Sequence, residues 1–109
     1  MGLFATHWSL VIQIAIGISL FAAAWSYLPT LWGAPWVPSS LRTVNKMLLM
    51  AEVTPGQKVV DLGAGDGRIV LLAARRFAAR AAGVEIDPLR CLIANALIWG
   101  LGLRRQAHV

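Results

Sequence analysis

The sequence predicts an α/β chain in which one long apolar helix precedes a β-α-β-α unit with parallel strands. Three observations carry that prediction. Residues Trp8 to Leu28 form an apolar run, and no Asp, Glu, Lys or Arg occurs before Arg42. A β-branched run, Lys58-Val59-Val60-Asp61-Leu62, ends in glycines at alternate positions, Gly63, Gly65 and Gly67, and an apolar segment of helical period follows. A second apolar run, Ala81 to Ile86, ends at Asp87-Pro88, where a capping acid followed by proline starts another helix.

The first run, at 1.5 Å per residue, spans about 30 Å, the thickness of one hydrocarbon core. Trp8 marks one end, and Trp25, Tyr27, Trp32 and Trp36 gather towards the other, as interfacial aromatics do. A transmembrane helix is the favoured reading over a cleaved signal peptide or a core helix. No Lys or Arg precedes the run, and it is long for a signal sequence. A core helix this apolar needs a large domain around it. Arg42 and Lys46 lie on its C-terminal side, so the positive-inside rule predicts the N-terminus outside and the glycine corner in the cytoplasm.

The expected organisation is therefore a membrane helix over 1–28, a linker over 29–39 and a partial ligand-binding domain over 40–109. Pro29, Gly33, Pro35 and Pro38 break regular structure in the linker. Ser39 or Ser40 caps a helix of about ten residues in which Leu41, Val44, Met47, Leu48 and Ala51 recur at helical spacing. Thr54-Pro55-Gly56-Gln57 suits a type II turn. The first strand covers Lys58 to Leu62. The next helix runs from Gly67 to Ala79 and buries Ile69, Val70, Leu72, Ala73 and Phe77. The second strand covers Ala81 to Ile86, and the last helix runs from Pro88 to Trp99, stopped by Gly100 and Gly102. Arg104 to Val109 is the approach to a third strand.

The composition excludes several classes. The chain has 109 residues, is 58% hydrophobic and carries a net charge of +5, but its cations are spread from Arg42 onward without a dense run. That predicts no nucleic-acid partner and a basic surface beside anionic lipid. A single cysteine, Cys91, excludes an internal disulfide and a multi-cysteine metal site, and its apolar helix predicts a buried thiol. His7 and His108 have no visible partner and receive no role.

The glycine corner carries the chemistry. A strand, a tight turn and a helix start let a ligand approach where any Cβ would clash, and expose backbone N–H groups. The dinucleotide fingerprint is G-x-G-x-x-G. Here the glycines are one residue tighter, Asp61 stands two residues before the first, and Glu85 ends the second strand, where an acid can accept from both ribose hydroxyls. Asp61-x-Gly63-x-Gly65-x-Gly67 followed by Glu85 resembles a class I S-adenosylmethionine (SAM) methyltransferase. The fold implied is the first half of a Rossmann-like methyltransferase sheet. The residues assigned to the cofactor are Asp61, Gly63, Ala64, Gly65, Gly67, Glu85 and Ile86. Asp61 either orients the turn through its N–H groups or meets the ammonium of the ligand. Glu85 holds the ribose, and Ile86 flanks adenine. Asp66 and Asp87 read as helix-capping acids. No residue is identified as a catalytic base, and no metal is expected. A nicotinamide or flavin site is the minor alternative.

The order of features narrows the resemblance. The apolar helix is followed by Pro35-Trp36-Val37-Pro38-Ser39, the amphipathic helix, Val59 to Val70 and Gly83-Val84-Glu85-Ile86-Asp87-Pro88, with Ala96-Leu97-Ile98-Trp99-Gly100 behind. This is similar to the membrane-anchored protein-lysine methyltransferases that include the ATP synthase c-subunit lysine methyltransferase. The resemblance implies SAM as methyl donor, a protein lysine as acceptor, and a membrane location, the mitochondrial inner membrane in a eukaryote. It also implies further strands, so the chain reads as C-terminally truncated. A partner chain completing the sheet is then expected, and a non-catalytic membrane-tethered remnant is the competing reading.

Overall fold

The computed structural model describes residues 2–109, with side chains described at all of these except residues 2–5 and 29. The chain forms two compact units, one ending at Trp36 and one running from Val37 to Val109.

The first unit is helix α1 (Gly2–Tyr27), followed by a 3-10 turn at Leu28–Leu31. Its stretch Thr6–Tyr27 is 22 residues long, has a mean hydropathy of 1.8 and contains no buried residue. It is long and apolar enough to cross a membrane. The serine hydroxyls along it are satisfied locally: Ser9, Ser19 and Ser26 each donate to a carbonyl one turn back, at 2.8 Å. Such back-bonding removes most of the cost of a hydroxyl in an apolar setting.

The second unit begins with α2 (Leu41–Met50), capped by Ser40, whose Oγ accepts the Thr43 N–H at 3.1 Å. Only Val44 and Leu48 of this helix are buried; Leu41 and Met47 are exposed, so the packed face is narrower than the spacing predicted. The 54–57 turn closes with Gln57 N–H donating to Thr54 C=O at 3.2 Å and Gly56 at φ +82°, as type II requires. It delivers the chain to β1 (Lys58–Leu62), then α3 (Arg68–Phe77), β2 (Arg80–Val84), α4 (Pro88–Gly100) and β3 (Ala107–His108).

All three strands are parallel, in the order β1-β2-β3, with Lys58 opposite Arg80 and Ala81 opposite Ala107. The sheet thus has a third strand where the sequence predicted only an approach to one. Helix α3 ends at Phe77, short of the predicted Ala79. Ala78 takes the left-handed conformation (φ +51°), and the Ala79 N–H returns to Ala73 C=O at 3.1 Å, closing the helix end. That closure turns the chain straight into β2.

Helix α3 packs on all three strands, α2 on α3, and α4 on β3. Val44, Val70 and Ile98 are fully buried in this layer. The opposite sheet face of this unit is exposed at the residues named next. The register sets Val60 beside Ala82 and Leu62 beside Val84. Val60, Leu62 and Val84 are 64%, 79% and 58% exposed. A contiguous apolar strip on a sheet face drives association. The chain is therefore expected to self-associate through this face, and the pair Val60→Lys and Val84→Lys to shift it towards monomer in sedimentation velocity at matched detergent. An unchanged distribution would place the association elsewhere.

Candidate functional site

The site grows from the β1–α3 corner. Gly63, Gly65 and Gly67 hold φ of +84°, +57° and +77°, which lets the chain reverse from strand to helix within five residues. At Gly67 the requirement is double. An added Cβ would lie 2.8 Å from Ala94 Cβ, so the turn also needs bare backbone to seat against α4. At Gly63 an added Cβ would meet nothing within 4 Å, so the space beside it is open.

Four backbone donors of the turn are engaged within the protein, contrary to the expectation of exposed N–H groups. Gly63 and Ala64 N–H both donate to Val84 C=O, at 2.8 and 2.9 Å, and Gly67 N–H donates to Ala64 C=O at 2.9 Å. Gly65 N–H donates to Glu85 Oε2 at 2.7 Å. What the corner offers a ligand is therefore open space bordered by carboxylates.

Glu85 stands one residue beyond β2 and bridges two elements. Its Oε2 takes the Gly65 N–H, and its Oε1 takes the Asp87 N–H at 2.9 Å. A carboxylate has about four acceptor positions, so two remain for another donor. Asp61, near the end of β1, has a buried Oδ2 with no hydrogen-bond partner. Burial first, and then the charge of Glu85, raise its pKa above the ordinary carboxylate value. An unpartnered buried carboxylate oxygen beside a second carboxylate is a site for a cation or a strong donor.

The remaining assigned residues fall as follows. Ala64 is buried, with its Cβ in the core; a Cβ on Gly83 would stand 2.6 Å from it, so the bare Gly83 leaves the room that Ala64 fills. Ile86 is 75% exposed just beyond Glu85. Asp87 caps α4 as expected, whereas Asp66 stands one residue before the α3 cap position, which Gly67 occupies. Asp66 Oδ1 accepts the Arg68 N–H at 3.3 Å, and Asp87 Oδ1 accepts those of Leu89 and Arg90 at 2.9 and 3.4 Å. Cys91 is half-buried, its thiol donating to Glu85 C=O at 3.3 Å. Burial, then the Glu85 and Asp87 carboxylates, push its pKa up, which keeps it a protonated, unreactive thiol. Among the described residues no cluster of His, Cys, Asp and Glu could hold a metal.

Two contacts escaped the sequence reading. Arg68 forks onto the Asp66 carboxylate and reaches the Ser39 carbonyl. Asn95, amid the apolar residues of α4, pairs with both the N–H and the C=O of Val109 and holds the strand end of β3. A lone amide at a mid-helix position was the available signal for the second; nothing local announced the first.

With this geometry in view, the fold defines an α/β methyltransferase-like class. An RNA methyltransferase from Salinibacter ruber, solved in complex with S-adenosyl-L-homocysteine, superimposes with a TM-score of 0.64 at 39% identity, over 66% of this chain and 47% of that one. The curated relatives are more particular. The chain is 40% identical over 85 residues to a protein-lysine N-methyltransferase of Saccharolobus islandicus, covering 77% of this chain and 51% of the relative. It is 34% identical over 107 residues to the ATP synthase c-subunit lysine N-methyltransferase of Xenopus laevis, covering 93% and 46% respectively. No family model matches the sequence. The chain spans about half the length of the curated relatives it matches. By sequence it resembles lysine methyltransferases, by fold SAM-dependent methyltransferases, and SAM is the cofactor that both likenesses support.

Proposed function

We propose that this chain is the SAM-binding part of a membrane-anchored methyltransferase that transfers a methyl group to a protein lysine. The observation that carries the proposal is the pair Asp61 and Glu85 beside an open glycine turn, with Asp61 Oδ2 buried and unpartnered. These residues fit SAM. Gly63 leaves space for the methionyl portion, and Ala64, Gly65 and Gly67 form the floor of the turn. Asp61 takes the ammonium, the free acceptor positions of Glu85 take the ribose hydroxyls, and Ile86 flanks adenine. SAM supplies a methyl group on a sulfonium, ready for in-line displacement; the protein aligns it and excludes water.

The domain assignment that follows is an anchor over 1–28, a linker over 29–39 and a SAM-binding domain over 40–109. The proposed location is a membrane crossed once, N-terminus outside and the SAM-binding domain on the cytoplasmic side; in a eukaryote, the mitochondrial inner membrane. Membrane lipid and a protein lysine are the proposed partners. A partner chain completing the sheet is proposed to cover the apolar face formed by Val60, Leu62 and Val84, which in its absence drives the self-association expected above. The competing reading is a tethered remnant without catalysis.

The test is titration with S-adenosylhomocysteine, which carries the same ammonium as SAM. Unliganded Asp61 has a raised pKa, and a bound ammonium stabilises its charged form. Affinity should therefore rise with pH through the raised Asp61 pKa, and binding near that pH should release a proton. Calorimetry in buffers of different ionisation enthalpy reads that proton directly. Asp61→Asn should remove both the release and the pH dependence. Binding that ignores pH and is unchanged in Asp61→Asn would exclude the ammonium role, and a folded chain that binds nothing would favour the remnant.

A further inference from the structure

We infer that Arg68 is a positioning residue that couples the cofactor turn to the 37–40 segment, so that ligand in the turn and order in that segment support each other. The inference rests on the SAM-binding reading above. Arg68 Nε donates to Asp66 Oδ1 and Oδ2 at 3.0 and 3.2 Å, and Nη2 donates to Asp66 Oδ2 at 2.6 Å. Nη1 donates to the Ser39 carbonyl, 29 positions away in sequence. Both side chains of the ion pair are nearly three-quarters buried, so water competes only partly.

The contacts form a continuous path. Asp66 sits in the turn between Gly65 and Gly67, and Gly65 is held by Glu85. Asp66 fixes the guanidinium, and the guanidinium fixes Ser39. Ser40, the next residue, caps α2 through the Thr43 N–H, and its carbonyl takes the Val44 N–H at 3.0 Å. Val44 is fully buried in the core. A planar fork is needed for this path: one face grips a carboxylate while a third donor reaches a carbonyl, which an ammonium cannot reproduce in the same geometry. The Ser39 carbonyl belongs to the segment that leads back to the apolar helix in sequence. A ligand that stiffens the turn therefore stiffens the root of that segment, and by linkage the ordered segment tightens the ligand.

The experiment uses the full chain in detergent micelles, with S-adenosylhomocysteine as the probe. Calorimetry gives affinity, and hydrogen exchange at the Thr43 and Val44 amides reports the segment. In the wild type, ligand should slow exchange at both amides. Arg68→Gln should bind about fivefold or more weakly, the lower end of ordinary coupling between sites, and should lose the ligand-induced slowing. Arg68→Lys, which keeps the charge, should fall between the two and serves if Arg68→Gln does not fold. A purely structural role would lower stability yet leave the ligand-induced slowing intact. Equal slowing in the wild type and either variant, or equal affinity, overturns the coupling. A wild type that binds no probe overturns the cofactor reading and the coupling with it, while the exchange difference between the ligand-free chains still reports whether the Arg68 bridge forms.

Discussion

Replacing Glu85 by alanine is expected to weaken S-adenosylhomocysteine binding at least tenfold, about 1.4 kcal/mol or more. Two losses combine. The variant removes the acceptors proposed for the ribose hydroxyls. It also removes the brace that joins the Gly65 N–H to the Asp87 N–H, leaving two backbone donors to find water. A charge-assisted hydrogen bond is worth about 1.5–3 kcal/mol, so the brace alone is a large local term. The conservative variant Glu85→Gln separates the two. Its amide keeps one acceptor oxygen but turns an NH2 donor towards one of the backbone N–H groups, so the brace is half lost. Binding should fall nearly as far as in the alanine variant, while stability falls less. Paired titration and urea unfolding of the two variants would show this. Wild-type affinity in Glu85→Ala would remove Glu85 from the ligand site and leave it a purely structural brace.

The parts of this site that were legible are those written in local chemistry. Lys58–Leu62 is a β-branched run leading into a glycine turn, and the strand lies where that pattern puts it. Asp87-Pro88 caps a helix because an acid before proline has few other uses, and α4 starts there. Glu85 falls just past its strand, one residue beyond β2 (Arg80–Val84), where the sequence pattern had the strand run on to Ile86. What it grips was not legible, because the Gly65 N–H is twenty positions away and arrives through the fold. Strand β3 was only half visible: two residues carry no periodicity, and its pairing depends on the Asn95 clamp and on Ala81 N–H meeting Gln106 C=O at 2.7 Å. Leu41 and Met47 have helical spacing but no neighbour to cover them, since α2 packs on α3 by a two-residue stripe. The reach of Arg68 to Ser39 was illegible for a deeper reason. The guanidinium is placed by Asp66, two positions away, but the carbonyl that its remaining Nη1 then meets, 29 positions off, is brought there by the fold alone.

Two glycines of one turn should fail in opposite ways when changed to alanine. Gly67→Ala asks a side chain to hold φ +77° and sets a methyl 2.8 Å from Ala94 Cβ and 3.4 Å from a Val109 methyl. The left-handed conformation costs about 1–2 kcal/mol and the overpacking about 1–3, so the second unit should lose about 2–5 kcal/mol. That is a large part of the stability of a small domain. Gly63→Ala holds φ +84° but meets nothing within 4 Å, so only the conformational cost of about 1–2 kcal/mol applies to folding. Its methyl instead enters the space proposed for the methionyl portion of the ligand. Urea midpoints followed by circular dichroism should therefore drop further for Gly67→Ala, whereas S-adenosylhomocysteine affinity should collapse in Gly63→Ala at a denaturant-free condition where that variant is still folded. If Gly63→Ala binds like the wild type, the open space beside Gly63 is not where the ligand lies. If Gly67→Ala is as stable as Gly63→Ala, α4 yields to the methyl, and the seat of the turn against Ala94 is softer than its contacts imply.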